Sequence, residues 1–249
     1  MNDQGTRHGP DRRHVTTPDR PLPPGQHLAR SFERFGLGRF AFRYPTATES
    51  ISIAVSGDVA APATFGDELA ALPRVTRRAD FHCVTTWSVR DLEWGGVRFA
   101  DFHHALVAPR VRPRDGAVHV VLRAQDGYRV CMLLEDLLGP DVLLADTLDG
   151  ESLGVAHGAP LRLVAPAHYG YKNLKHLAAI EYWTDRRHYR FPWPYPNLMD
   201  HPRARVALEE RARFLPAWLI RPFYRMVMPL ARAKAARGLA KYMARARGT

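Results

Sequence analysis

The apolar residues of this chain arrive in short runs. Glycine, proline and polar or charged side chains cut these runs off, and the 18 glycines and 20 prolines are spread over 249 residues. No uncharged apolar stretch approaches the roughly 18–20 residues that a membrane-spanning helix needs. Proline removes a backbone donor and clashes inside a helix, so the same punctuation argues against an all-helical bundle. An apolar share of 46% and a charged share of 24% are ordinary globular values, which excludes disorder over the whole chain. The length suits one large domain or two small ones.

Within that frame the pattern points to many short elements. Residues 51–55 alternate in front of Ser56-Gly57-Asp58, as a strand entering a turn does. Residues 64–72 open on a capping threonine and carry Phe65, Leu69 and Leu72 at helical spacing. Residues 99–107 and 133–138 are short helix candidates. Residues 117–123 and 128–133 are strands joined across Ala124-Gln125-Asp126-Gly127, where Asp-Gly is a hairpin signal. Residues 142–145 and 161–165 are apolar strands, and 174–183 fits either helix or strand. No internal repeat and no regular strand–helix alternation is present, so the expected fold class is α+β with mixed sheets and short helices. The absence of GxGxxG and Walker loops gives nucleotide-binding folds little support.

The formal net charge of +11 is unevenly placed. Residues 203–249 hold 12 basic and 2 acidic side chains, whereas residues 1–202 hold 24 and 23. The body is thus nearly neutral, and the last segment is a basic footprint for phosphate, anionic lipid or an acidic partner. At the other end, residues 1–30 carry Pro10, Pro18, Pro21, Pro23 and Pro24 and read as an extended arm. Arg12-Arg13 is followed by no apolar segment, so it makes no export signal and a cytoplasmic location is expected.

Two segments carry reactive or charged side chains in an unusual density. In Phe81-His82-Cys83-Val84-Thr85-Thr86-Trp87-Ser88, Cys83 falls between a strand end and a Trp-bearing turn. It reads either as a small buried hydrophobe or as a thiolate ligand for a soft, redox-active metal. With Cys131, 48 positions away, it makes neither a disulfide framework nor a CxxC site. A Cys83–His82 nucleophile is awkward, because neighbours on a strand face opposite ways. The second segment runs from His157 to Lys175 and places Arg162, Lys172 and Lys175 among glycines and prolines. It is either a solvated basic loop or the charged wall of an anion-binding cleft.

The pairing of residues 81–88 with Gly158-Ala159-Pro160-Leu161-Arg162-Leu163-Val164-Ala165-Pro166 and Tyr169-Gly170-Tyr171-Lys172-Asn173-Leu174-Lys175 resembles the molybdopterin-binding domain of the sulfite oxidase family. The resemblance spans residues 23–185. It is nearer to the small bacterial members that include the catalytic subunit of protein-methionine-sulfoxide reductase. It also takes in Pro23-Pro24-Gly25-Gln26, Ser56-Gly57, Asp126-Gly127-Tyr128 and Leu134-Glu135-Asp136-Leu137-Leu138.

The resemblance implies a molybdenum–molybdopterin cofactor and two-electron oxygen-atom transfer between the Mo(IV) and Mo(VI) states. It implies that Cys83 is the metal's thiolate ligand and the catalytic centre, and that His157, Arg162, Asn173, Leu174 and Lys175 bind the pterin and its phosphate. Residues 32–36 are a further contact segment, and another contact is expected near Leu122. His157 stands where the methionine-sulfoxide-reductase type has Asn. The immunoglobulin-like second domain of animal and plant sulfite oxidases has no room in residues 186–249. A sulfoxide-like or other small molecule is therefore expected in place of sulfite, with a separate electron-transfer partner because no haem domain is present.

These readings divide the chain into an arm (1–30), a catalytic domain (31–185) and a basic helical extension (186–249). In the extension, residues 216–230, whose apolar residues are interrupted by Arg221, Pro222, Arg225 and Pro229, and residues 231–247 are helix candidates behind the extended Phe191-Pro192-Trp193-Pro194-Tyr195-Pro196. Packing on the body or on a second subunit, and contact of residues 203–249 with an anionic membrane surface or an acidic redox partner, are the expected roles. Nucleic acid is not an expected partner, since the aromatics are clustered away from the basic residues. Two other functions remain open at this level: a non-catalytic adaptor working through its tail, and a metal-free thiol enzyme.

Overall fold

The computed structural model of the chain describes residues 20–36, 38–192, 200–209 and 215–247. Its elements are β1 (His27–Leu28), β2 (Ile53–Gly57), β3 (Ala63–Phe65), β4 (Arg74–His82) and β5 (Trp87–Arg98), then α1 (Phe99–Phe102), a π-helical turn (His103–Val107) and α2 (Ala108–Arg110). There follow β6 (His119–Ala124), β7 (Arg129–Leu133), α3 (Leu134–Leu137), β8 (Leu143–Leu148), β9 (Glu151–Ser152), β10 (Arg162–Val164), β11 (Leu177–Trp183) and α4 (Ala217–Arg247).

The elements form two mixed sheets. In the first, β5 pairs antiparallel with β4 and β8, β8 continues to β10 and β9, and the short β1 joins β5 in parallel, His27 opposite Trp87. In the second, the order is β3-β2-β11-β6-β7, with only β11 and β2 parallel. Ile53, Val55, Val120, Leu122 and Ile180 of the second sheet meet Val97, Leu144 and Leu163 of the first in the main core, closed by Phe99, Phe102 and Val107. Apolar side chains on the inner faces of both sheets supply the driving force that holds the layers together.

The α+β class expected from the sequence is the observed one. The ambiguous stretch at 174–183 is a strand from Leu177, because β2 and β6 flank it and pair with both of its edges. The helix expected over 64–72 is shorter: Thr64 pairs with Ala54 in the β2–β3 ladder, and only Asp67–Ala71 coil, as a 3₁₀ turn. Glu68 then accepts the Gly66 amide proton at 3.0 Å, which satisfies one of the open donors. His27–Leu28, placed in the arm by sequence, forms β1. Residues 1–19, with Arg12-Arg13, and residues 193–196 of the aromatic stretch lie outside the described residues.

The two helices expected in the basic extension are one. α4 passes through Pro222 and Pro229 without a break. Both prolines are exposed, so water can serve the carbonyl oxygens whose helical donors are missing. The buried residues Ile220, Tyr224, Met228, Ala231 and Ala235 recur every three or four positions and seat the helix on the body. Gly238 completes the contact: a Cβ there would lie 2.0 Å from the Ala41 carbonyl oxygen.

Candidate functional site

The β4–β5 hairpin turns through Cys83-Val84-Thr85-Thr86. The Cys83 amide donates to the Trp87 carbonyl at 2.8 Å, and the Thr86 amide returns a bond to the Cys83 carbonyl at 3.1 Å. Thr86 takes a φ of 79° to close the turn, a costly conformation for a β-branched residue. The Gln26 side chain donates to the Cys83 carbonyl at 3.0 Å. Cys83 is thereby fixed at the hairpin tip. Its sulfur lies 3.0 Å from the Thr85 hydroxyl, and the residue lines an open cleft. His82, one position earlier on the strand, has Nδ1 2.8 Å from the Ser88 hydroxyl.

The second basic segment forms the facing wall. Arg162, on β10, is buried and lines the cleft. It donates to the carbonyl oxygens of His157 at 2.7 Å and Asn173 at 3.2 Å, with its guanidinium 4.7 Å from the Trp94 ring centre. Gly158 makes this corner: it sits at φ 120°, and a Cβ there would stand 3.0 Å from the Cβ of Arg162 and 3.3 Å from that of Lys175. Asn173 ties its own loop together. Its Oδ1 accepts the Ala165 amide proton at 2.7 Å, and its Nδ2 donates to the His168 carbonyl at 3.2 Å. Leu174 is buried, and both it and Lys175 line the cleft, with Lys175 Nζ donating to the Phe35 carbonyl at 2.9 Å.

Lys172 corrects the sequence reading, which grouped it with these cations. It is fully buried and pairs with Asp200 at 2.9 Å, while Nζ also donates to the Cys131 carbonyl at 2.8 Å. Arg186 reaches the other oxygen of Asp200 at 3.0 Å. This is a structural ion pair, and Lys172 does not line the cleft. Leu122 is a second correction, since it is wholly buried in the core between the sheets. The β6–β7 hairpin instead contributes Asp126 and Tyr128 to the lining.

Residues 32–36 form the third wall. Phe32 stacks on the His157 ring with centroids 4.9 Å apart. Arg34 is buried and donates to the carbonyl oxygens of Phe40, Ala41 and Arg43 at 3.0, 3.1 and 2.8 Å, and its buried Nε has no hydrogen-bond partner. The sequence marked this segment and the Asp126-Gly127-Tyr128 turn but gave Arg34 and Asp126 no role. Their significance comes from distance, since they meet Arg162 and Lys175 only after the chain has folded.

Three cations therefore converge, and the hydrogen bonds of Arg34, Arg162 and Lys175 described above go to carbonyl oxygens. The two lining carboxylates are Asp126 and the exposed Glu33. Burial lowers Arg162 to about 9. Burial, then the charges of Arg34 and Arg162, lowers Lys175 to about 7, opposed by Asp126 and Cys83. Burial pushes Asp126 up, against the Tyr128 amide and the nearby cations. Burial, assisted by Arg162 and Lys175, holds His157 at about 4, so its ring is neutral at pH 7. Such an arrangement attracts an anion that replaces lost hydration.

The donor set fits a molybdenum–pterin group. Among the described residues no cluster of three or more His, Cys, Asp or Glu side chains is arranged to hold a metal by itself. A single thiol beside the cleft suits a metal whose remaining ligands come from an organic chelate. The stacked Phe32–His157 pair suits a flat heterocycle, and the three cations with the unpaired Arg34 Nε suit its phosphate.

Comparison with known proteins agrees with that chemistry. The family model described as oxidoreductase molybdopterin binding domain matches residues 41–191. The chain is 34% identical over 162 residues to the "Uncharacterized oxidoreductase YuiH" of Bacillus subtilis (strain 168), covering 65% of this chain and 78% of that protein. It is 31% identical over 128 residues to the "Putative protein-methionine-sulfoxide reductase subunit YedZ1" of Azospira oryzae, with 48% of this chain and 47% of that protein covered. Among solved structures, the sulfane dehydrogenase SoxCD from Paracoccus pantotrophus superposes with a TM-score of 0.51 at 22% identity, covering 63% of this chain and 44% of that one. At that identity the likeness is one of fold. Arg34 and Phe32 lie before the span of the family match.

Proposed function

The chain belongs to the oxidoreductase molybdopterin binding domain family, and from that premise we propose that it is a molybdoenzyme catalysing oxygen-atom transfer coupled to two electrons. The observation that carries this reading is the pairing, in one cleft, of a fixed cysteine with three cations bonded to carbonyl oxygens. When bound, the cofactor supplies the two-electron change between Mo(IV) and Mo(VI). In this reading Cys83 holds the metal through its thiolate. Arg34, Arg162 and Lys175 would hold the phosphate, the stacked Phe32–His157 pair would form one wall of the pterin site, and the Asn173 side chain keeps the loop carrying Leu174 and Lys175 in shape.

Phe81, Trp87, Tyr171 and Phe191 also line the cleft and would exclude water from the substrate's side. Such walls favour a small molecule with an apolar part, such as a sulfoxide, over a bare inorganic dianion. Electrons pass to or from a separate partner. We place the enzyme in the cytoplasm, where a reducing environment suits cysteines that form no disulfide, Cys83 and Cys131. The test is metal and pterin analysis of protein made in a host that assembles molybdopterin. One molybdenum per chain, with pterin fluorescence after oxidation, is expected. Its absence from well-folded protein overturns the proposal.

A further inference from the structure

α4 has two faces. One packs on the body through Tyr224, Met228 and Ala235. On the other, Leu219, Phe223, Met226 and Leu230 follow one another at spacings of four, three and four, which is a single stripe on a helix. Trp218 stands at its start. Met226 and Leu230 are 69% and 68% exposed and Trp218 is 72% exposed, values foreign to a packed face. The helix also carries eight Arg and Lys side chains and no acidic residue over its 31 positions.

Charge decides between occupants. Two copies of this chain meeting through α4 would bring two strongly cationic helices side by side, which repels. A bilayer containing anionic lipid satisfies both features, because the apolar stripe enters the acyl boundary while the arginines and lysines meet headgroup phosphates. The stripe is too short to cross the membrane, and no helix among the described residues is long and apolar enough to do so. We propose that α4 docks the protein on an anionic bilayer surface, with Trp218, Phe223, Met226 and Leu230 inserted at the interface.

The position of α4 gives docking a consequence. Met228 packs in the same cluster as Cys83 and Trp87, and the Arg232 guanidinium lies 5.7 Å from the Trp87 ring centre. The bound helix therefore holds the hairpin tip that carries Cys83 near the membrane.

Flotation of the full chain with vesicles tests this. Phosphatidylcholine vesicles with about 30 mol% phosphatidylglycerol should carry the protein up the gradient, and pure phosphatidylcholine should not. About 0.5 M salt should weaken binding at least about tenfold. Phe223→Glu with Leu230→Glu should weaken it at least about tenfold with an unchanged unfolding midpoint. If that pair disturbs the fold, Lys234→Glu with Lys241→Glu, both at exposed positions, replaces it with the same expected loss. Failure of the wild-type chain to float, equal binding to neutral vesicles, or undiminished binding by a folded variant overturns the proposal. So does a dimer that the Phe223/Leu230 variant dissociates, in a chain that ignores vesicles: the face would then be a self-contact.

Discussion

Arg162 donates to the carbonyl oxygen of His157 at 2.7 Å, and so joins the cleft wall to the strand beneath it. Arg162→Ala leaves the carbonyls of His157 and Asn173 without this donor, at a cost of about 1–3 kcal/mol for each buried group left unpaired. Arg162→Lys restores the charge without the fork. The expected order of retained pterin is wild type, Lys, Ala, with both variants lowered. Full pterin content in the Ala variant would remove Arg162 from the phosphate site.

The turn that holds Cys83 is closed by backbone bonds, which the side chain does not make. Cys83→Ser should therefore abolish turnover while shifting stability by no more than about 1 kcal/mol. Cys131→Ser is the contrast. Cys131 is buried beside Tyr189 and Phe191, and its substitution should leave turnover per bound molybdenum unchanged. Equal activity in the two variants would refute the ligand assignment.

Stability should respond to pH in two windows with the same sign. Burial holds His157 and His103 at about 4 and His176 at about 3. Between these values and the ordinary 6.5 the unfolded chain binds more protons, so stability falls as pH drops through that range. Lys175 is lowered from 10.5 to about 7. Its burial cost is fully present below pH 7 and is relieved as pH rises from 7 towards 10.5. In cofactor-free protein, Lys175→Met should raise the unfolding midpoint most below pH 7, with the gain shrinking above it. A gain independent of pH would show that Lys175 is not buried as a cation. Cofactor loading should weaken above pH 7, where the free site loses the Lys175 charge.

Removing one member of a buried ion pair leaves the other without compensation, typically costing about 3–5 kcal/mol. Lys172→Met should have part of this effect through Asp200, which keeps Arg186 as its other partner at 3.0 Å. A second change, Asp200→Leu, should recover part of the loss. Chemical denaturation of the two variants checks it, and no recovery in the double variant would mean that Arg186 and the Cys131 carbonyl matter more than the Lys172–Asp200 contact.

What the sequence disclosed depended on range. The β6–β7 hairpin was legible because Asp126-Gly127 is a local turn signal, and so was the place of Cys83 between a strand end and a turn, whereas a ligand role for it came only from the family resemblance. The nature of residues 177–183 was not local: pairing with β2 and β6 decided it. Lys172 and Lys175 are three positions apart and equally basic on paper. One faces Asp200, 28 residues on, and the other the Phe35 carbonyl, 140 residues back. Arg34 was hidden for the same reason, since its guanidinium gains meaning only from Arg162 and Lys175 across the cleft. The unbroken α4 defied its prolines because both fall on the exposed side.

Gly238 offers a test of how α4 is coupled to the cleft. In a free helix Gly→Ala stabilises by about 1 kcal/mol. Here the new methyl would meet the Ala41 carbonyl oxygen at 2.0 Å, a backbone atom that cannot swing aside. That same oxygen accepts a hydrogen bond from Arg34 at 3.1 Å. Gly238→Ala should therefore destabilise the protein, separate the stacked Tyr44 and Tyr242 rings, now 4.3 Å apart, and open α4 to trypsin. Because Arg34 lines the cleft, pterin content should fall as well. Faster tryptic cleavage in α4 with unchanged pterin content would show that the helix and the anion site are independent.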